Sequence, residues 1–150
     1  MNKILVEVSV GELLDKISIL ELKQEKIKDP ENLKFINDEY NVLKAELDKH
    51  IKNDDSWSNL FKSLKEINAK LWVIEDDKRM CEKNKDFGEK FIKLSRDVHF
   101  LNDNRAKIKL EINNHTGSKI KEVKEYTNYW YLYFFSKYLI KLWIRKVINK

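Results

Sequence analysis

Cysteine, proline and glycine are scarce in this sequence, which has one, one and three of them among 150 residues. Because Cys81 has no possible partner within the chain, an internal disulfide is excluded, and a reducing compartment is the simpler expectation. This composition, with little proline and glycine, 42% hydrophobic and 37% charged residues, differs from that of a collagen-like or disordered chain. The composition predicts one compact helical domain with a modest core.

Sequence motifs of familiar enzyme chemistry are also lacking. The chain has no glycine-rich phosphate loop and no serine–histidine arrangement. Its three histidines, His50, His99 and His115, are scattered without the spacing of a zinc site. We therefore expect no cofactor and no bound metal. The sequence favours a protein without catalytic activity but does not decide the question.

A long hydrophobic run is missing from the start of the chain. The opening stretch "MNKILVEVSV" is apolar but short, and Glu7 interrupts it. It has neither the long apolar core nor the small-residue cleavage site of a signal peptide. The expected location is therefore the cytoplasm, with these first residues in an extended conformation.

The charges are distributed unevenly along the chain. All 25 acidic residues and 25 of the 30 lysines and arginines lie in residues 1–125, which are therefore neutral. Residues 126–150 contain the other five cations, no acid, and nine of the seventeen aromatic residues. We predict two parts, a helical bundle domain at 1–125 and a C-terminal docking segment at 126–150.

Local signals place the first two helices. Ser9 and Glu12 have the spacing of a capping box, which predicts a helix from this point to about residue 28. Asp29 followed by Pro30 is typical of an N-cap with proline in the first helical position. A second helix is expected from there to about residue 51.

The third and fourth helices follow a polar break, "KNDDS". Apolar residues at steps of three and four predict a third helix from about Trp57 to Lys83. Asp86 and Glu89 repeat the capping-box spacing, and Gly117 is placed as a terminator of the fourth helix. Short connections favour antiparallel neighbours. The predicted fold is all-α, an antiparallel bundle of four main helices with coiled-coil-like hairpins, plus a C-terminal aromatic-basic amphipathic helix.

The stretch "FLNDNRAKIKLEIN", residues 100–113, contains a polar run in the middle of the fourth helix. The apolar stripe of this helix steps through positions 91, 94, 98, 101, 105, 108 and 112, which places Arg105 in a core position. Asn102 and Lys109 flank Arg105 on the same side of the helix. If the third and fourth helices fold back around residue 86, Arg105 comes level with Ile67 and Asn68, close to Glu66. The polar run is thus expected to be partly directed into the bundle.

Several segments resemble an uncharacterised bacterial helical family, a domain of unknown function. They are "VSVGELLDKISILELKQEKI", "LWVIEDDKRMCE", "FIKLSRD", "LNDNRAKIKLEIN" and "GSKI", in the same order, across residues 4 to 126. Members of that family are often found beside or fused to glycosyltransferases and lipopolysaccharide-assembly proteins. The resemblance implies a role near cell-surface glycan synthesis and carries over no catalytic residue. The recurring polar positions of the family are here Glu12, Asp15, Lys16, Glu75, Asp76, Arg79, Asn102, Asp103, Arg105 and Lys109.

A polar cluster within the bundle is the first candidate site. Its cations and amide could clamp a carboxylate or phosphate, because arginine offers a bidentate fork. Alternatively the same residues form an ion-pair network, with Arg105 bound to Asp15 or Glu66 and fixing the register of the helices. The ion-pair interpretation is the favoured one. The cluster is predicted to comprise Asp15, Lys16, Glu75, Arg79, Asn102, Asp103, Arg105 and Lys109.

The C-terminal segment is the second candidate site. Aromatic rings suit the headgroup level of a membrane, and lysine and arginine suit anionic lipid. Four cations interrupt the apolar residues, which favours a segment that lies on a membrane over one that crosses it. Packing on its own bundle stays an alternative, and nucleic acid is a weaker one. The residues expected to dock on a membrane or partner are Trp130, Tyr133, Phe134, Lys137, Lys141, Trp143, Arg145 and Lys146.

These features lead to one functional hypothesis and one alternative. The first is a non-catalytic accessory protein of cell-surface glycan (lipopolysaccharide-type) assembly, attached peripherally to the inner face of the cytoplasmic membrane. Its partners would be the anionic membrane surface or a membrane-associated glycosyltransferase-type protein, and a homo-oligomer is compatible with the sequence. The alternative is a small all-helical enzyme or anion-binding protein that uses the polar cluster.

Overall fold

The computed structural model describes residues 4–51 and 55–125, with the backbone alone at residues 55 and 56. This part of the chain contains four α-helices and no strand, so the predicted all-α class is confirmed. The helices are α1 (Val10–Lys26), α2 (Pro30–His50), α3 (Asp55–Asn84) and α4 (Glu89–His115). The predicted C-terminal helix and its eight docking residues fall at 126–150, outside the described residues.

The first two helices begin where their local signals predict. The Ser9 hydroxyl accepts a hydrogen bond from the backbone N–H of Glu12 at 3.1 Å. The Asp29 carboxylate accepts one from the N–H of Asn32 at 2.8 Å, and Pro30 is the first residue of α2. Each cap satisfies one of the unpaired N–H groups at a helix start, so these boundaries follow from local chemistry.

The predicted cap of α4 is wrong. The helix begins at Glu89, its N-cap is Gly88, and no side chain caps it. Asp86 instead accepts a hydrogen bond from the N–H of Gly88 at 3.2 Å, within the loop. The far end agrees better with the sequence, because Gly117 has a φ of +66° just after α4, a conformation that glycine adopts without strain.

Helix α1 lies at the centre of the fold and packs against each of the other three helices, and α3 also packs against α4. The short α1 is buried along most of its length, whereas α2 contributes only two fully buried side chains. The main apolar core is formed by Leu14, Ile17, Leu47, Trp57, Leu64 and Ile112.

Side-chain contacts give the helix directions. Gly11 at the start of α1 contacts Asn113 near the end of α4, while Asp15 contacts Arg105, two turns earlier in α4. These two helices are therefore antiparallel. Near the other end of α1, the Lys26 amine lies 5.9 Å from the centre of the Trp72 ring, and α3 runs on for twelve residues to Asn84. At about 1.5 Å per residue, the hairpin of α3 and α4 extends roughly 18 Å past α1. We call residues 73–100 the hairpin tip.

None of α1 to α4, the helices of the described residues, has the length and apolar content that crossing a membrane requires.

Candidate functional site

The centre of the site is an ion pair between Asp15 of α1 and Arg105 of α4. The Asp15 residue is 3% exposed, and the Arg105 side chain is 27% exposed. Two parallel hydrogen bonds join them, from Arg105 Nε to Oδ1 at 2.9 Å and from Nη2 to Oδ2 at 2.5 Å. This is the bidentate geometry in which guanidinium and carboxylate bind most strongly. The pair therefore links α1 to α4 in a single orientation.

Two buried polar side chains complete the surroundings of Asp15. The Asn68 amide on α3 donates to Asp15 Oδ1 and to the Ser18 hydroxyl, both at 2.8 Å. Ser18 in turn donates to the backbone carbonyl of Asp15 at 2.8 Å. Among the described residues, no buried side-chain nitrogen or oxygen lacks a partner. Three helices thus meet at one fully hydrogen-bonded carboxylate.

Asn102 holds the outer side of the guanidinium. Its Oδ1 accepts a hydrogen bond from Arg105 Nη1 at 3.4 Å, and its own amide donates to the carbonyl of Val98 at 3.0 Å. The pKa of Arg105 is raised, chiefly by the hydrogen bonds to Asp15, which outweigh the opposing effect of burial. We call Asp15, Ser18, Asn68, Asn102 and Arg105 the Asp15 cluster.

One turn further along α4, Lys109 is bound by two carboxylates. Its residue is 6% exposed, and its amine pairs with Glu12 and, at 2.8 Å, with Glu122 beyond the end of the helix. Burial lowers the pKa of Lys109, but the two carboxylates outweigh burial and the net shift is upward. We call Glu12, Lys109 and Glu122 the Lys109 clasp. It fastens the segment after α4 to the start of α1.

The backbones of α1 and α4 approach closely beside the clasp. The N–H of Gly11 donates to Asn113 Oδ1 at 2.7 Å, and the N–H of Val10 donates to the Ser118 hydroxyl at 3.3 Å. A Cβ atom at Gly11 would lie 2.6 Å from the carbonyl oxygen of Lys109. Only glycine therefore fits this crossing, and the first two N–H groups of α1 are satisfied by α4 and by the segment after it.

Of the eight residues predicted for the polar cluster, the structure brings four together at this site and places three elsewhere. Asp15, Asn102 and Arg105 lie in the Asp15 cluster, and Lys109 lies beside them in the clasp. Asp103 is half-buried on α4. Arg105 contacts Asp15, whereas Glu66, the other acid considered for it, is exposed and lines an apolar groove of about 780 Å³ between α3 and α4.

Lys16, Glu75 and Arg79 lie away from the cluster. Lys16 follows Asp15 by one residue, a rotation of about 100° around the helix. It points outward and pairs with Glu39 of α2 at 2.6 Å. Glu75 and Arg79 are two to three turns beyond Asn68 along α3, and they pair with each other at 4.0 Å. Including these three residues in the cluster was a wrong prediction about helix faces and axial positions.

Sequence reasoning did not assign Ser18 or Glu122 to the site, and it placed Asn68 level with Arg105, as the structure has it, without including Asn68 in the cluster. Asn68 had a usable signal, because it lies at helical spacing between two buried leucines, Leu64 and Leu71. Ser18 stands three residues after Asp15, on the same face of α1. Glu122 had no such signal, since it follows the end of α4 and belongs to no helical period.

Within residues 4–51 and 55–125, no group of three or more histidine, cysteine, aspartate or glutamate side chains is arranged so that it could hold a metal ion.

The clasp predicts an acid-dependent loss of stability. The pKa of the Glu122 carboxyl is lowered from 4.5 to about 2, chiefly by its hydrogen bond with Lys109. A carboxyl with a lowered pKa in the folded chain contributes stability above its unfolded pKa and loses that contribution as the pH falls towards its folded pKa. We expect the difference in unfolding free energy between wild type and Glu122→Gln to be constant above pH 4.5 and to shrink between pH 4.5 and about 2.

Urea denaturation across this pH range measures the difference, and an NMR titration of the Glu122 carboxyl gives its pKa directly. A difference that stays constant down to pH 2 would contradict the proposed pairing in the folded chain.

Comparison with known proteins identifies a family but no activity. Residues 4–131 match the model described as "Family of unknown function (DUF6165)". No curated protein and no solved structure matches the chain. The resemblance to a family of unknown function is thereby confirmed, while the link to bacteria and to glycosyltransferases stays a prediction.

Proposed function

Because the chain belongs to this family of unknown function, we propose a role for it from its own chemistry. The proposed role is that of a non-catalytic interaction protein of cell-surface glycan assembly. In this proposal residues 126–150 attach it to the inner face of the cytoplasmic membrane, and residues 1–125 form an antiparallel helical bundle that contacts a membrane-associated glycosyltransferase-type protein.

The pairing of the two central cations is the observation that supports a non-catalytic role. Arg105 donates hydrogen bonds from Nε and Nη2 to the Asp15 carboxylate, and the Lys109 amine pairs with Glu12 and Glu122. An external carboxylate or phosphate would have to displace an internal carboxylate, and displaced Asp15 would remain buried without a cation. This geometry favours a structural role for the site over the alternative of an anion-binding enzyme.

The composition of residues 126–150 supports the attachment to a membrane. This segment has five cations, no acid and nine aromatic residues. A basic, aromatic segment combines electrostatic attraction to anionic lipid, about 1 kcal/mol for each lysine or arginine near the surface, with burial of aromatic rings at the headgroup level. The role in glycan assembly depends only on the resemblance described for the sequence.

Membrane attachment is tested by comparing the full chain with a version that stops at Glu125. The shortened version keeps all four helices and the Lys109 clasp. We expect the full chain to sediment with vesicles of phosphatidylglycerol and phosphatidylcholine, less at high salt, and the shortened chain to stay in solution. Equal sedimentation of the two chains would contradict attachment through residues 126–150.

The proposed partner is tested by crosslinking the full chain in native membranes and identifying the captured proteins. We expect a glycosyltransferase-type protein to be captured by the wild type and by the Arg79→Ala variant, in which an exposed residue is changed. Reproducible capture of proteins of other classes only would contradict the role in glycan assembly. If the protein is instead an enzyme that uses the polar cluster, Asn102 variants that still fold are expected to lose turnover.

A further inference from the structure

Exposed apolar residues are concentrated where two non-helical segments leave the bundle. Residues 4–8 precede α1, and residues 116–125 follow α4. Within them Ile4, Leu5 and Val6 are 87%, 81% and 75% exposed, and Val123 is 89% exposed. Aliphatic side chains left in water carry an unfavourable hydration free energy of ~25 cal/mol per Å² of surface, so several of them at one end of a fold indicate an interaction surface.

Contacts between the start of α1 and residues 118–122 show that the two segments leave the bundle at the same end of the fold. The backbone N–H of Val10 donates to the Ser118 hydroxyl at 3.3 Å, and Ser118 donates to the carbonyl of Ile120 at 2.9 Å. The Lys109 clasp attaches Glu122 to the same region at 2.8 Å. We call residues 4–12 and 109–125 the base of the bundle.

The base is also the place from which residues 126–150 continue, because residue 126 lies three positions after Val123. The end of α4 in the base is far from the turn at residues 85–88, since α4 has 27 residues and a helix of that length spans about 40 Å. A flat surface that contacts the base end-on therefore does not touch the turn at residues 85–88.

We propose that the base itself contacts the lipid surface, through Ile4, Leu5, Val6 and Val123, beside the membrane-attached residues 126–150. The bundle then stands on the membrane with its hairpin tip directed away from the lipid. This inference depends on the membrane attachment proposed above and adds to it a second contact and an orientation.

The charges near the base are compatible with an anionic surface. Residues 119–125 contain three lysines and two glutamates, and one of the glutamates, Glu122, is already paired with Lys109 of α4. The five cations without acids follow directly in residues 126–150. The apolar contact of the base would add to the electrostatic and aromatic contact of residues 126–150, and two contacts together give stable peripheral binding where either alone is marginal.

Three serine substitutions in the base test the second contact in the full-length chain. We expect Ile4→Ser, Leu5→Ser and Val6→Ser together to weaken sedimentation with phosphatidylglycerol–phosphatidylcholine vesicles about tenfold, the loss that corresponds to ~1.4 kcal/mol of apolar burial. The matched control replaces three half-exposed aliphatic residues of the hairpin tip, Val73, Met80 and Ile92, by serine. The control is expected to sediment like the wild type.

An environment-sensitive fluorophore tests the orientation independently of affinity. In a Cys81→Ala background, the label is placed by Leu5→Cys or Val123→Cys in the base, and by Met80→Cys in the tip. We expect vesicles to shift the emission of both base labels to the blue and to leave that of the tip label unchanged. A shift at the tip label alone would overturn the orientation.

The other outcomes separate this inference from the proposed attachment. If the wild type binds and the base variant binds equally well, the second contact is wrong but the attachment stands. If the wild type fails to sediment, the attachment is wrong and the inference falls with it. If instead the base variant changes the oligomeric state without vesicles and binds them normally, the base is an interface between copies of this chain.

Discussion

Arg105→Ala is expected to lower the free energy of unfolding by about 3–5 kcal/mol, because it leaves the buried Asp15 carboxylate without its cation. The variant also removes a donor to Asn102, so the outer side of the cluster is loosened as well. Urea denaturation at neutral pH, followed by circular dichroism of the helices, measures the change.

Arg79→Ala is the matched control for this prediction. Arg79 is an exposed arginine on α3 that pairs with Glu75 at 4.0 Å. Its loss should change the unfolding free energy by less than about 0.5 kcal/mol, as is usual for surface pairs. The Asp15→Ala, Arg105→Ala double variant should be destabilised by less than the sum of the single variants, since each single change removes the same pair.

An unchanged stability in Arg105→Ala would refute the structural role of the pair. Stabilisation of the wild type by a small anion such as phosphate, absent in Arg105→Ala, would then favour the anion-binding alternative. The two interpretations are thus separated by one set of denaturation curves.

Gly11→Ala is expected to destabilise the fold by about 1–3 kcal/mol, although alanine is by itself the better helix former by about 1 kcal/mol. The added Cβ atom would lie 2.6 Å from the Lys109 carbonyl oxygen and 3.0 Å from Asn113 Oδ1. A backbone carbonyl of α4 gives way only if the two helices move apart. That movement would also weaken the hydrogen bond from Gly11 to Asn113 and the neighbouring Lys109 clasp.

Thermal unfolding of Gly11→Ala and Gly88→Ala provides the comparison. At Gly88 an added Cβ atom would meet the end of a flexible side chain, Asp86 Oδ1, at 3.3 Å. We expect Gly88→Ala to change the stability less than Gly11→Ala does. If Gly11→Ala raised the melting temperature, the close approach of α1 and α4 would be refuted.

Arg105→Ala and Gly11→Ala also test the connection between the core and the base. The Asp15 cluster fixes α1 against α4, and the Lys109 clasp, one turn away, fixes the segment after α4 against α1. The clasp and the hydrogen bond from Val10 to Ser118 hold residues 118–122 of the base beside the start of α1. Disturbing them should therefore reduce vesicle binding as well as stability.

The sequence by itself determined the parts of the fold that depend on neighbours along the chain. Ser9 and the Asp29–Pro30 pair mark helix starts because a cap is made within three or four residues. The inward position of Arg105 followed from helical periodicity for the same reason. The prediction of Asp86 as the cap of α4 was wrong, because α4 begins at Glu89 with Gly88 as its N-cap. The spacing of a capping box does not by itself guarantee that a helix begins there.

Only the tertiary structure decided which residues meet across the helices. Asp15 rather than Glu66 pairs with Arg105, and Asn68 joins them, because the axial offset between helices determines which turns are level. That offset is fixed by contacts between distant residues, such as the backbone crossing at Gly11 and Lys109. No local pattern encodes it, which is why Glu75 and Arg79 were placed in the cluster and Glu122 was not. Helical periodicity thus determined that Arg105 lies on the inward face of α4, and packing determined its partners.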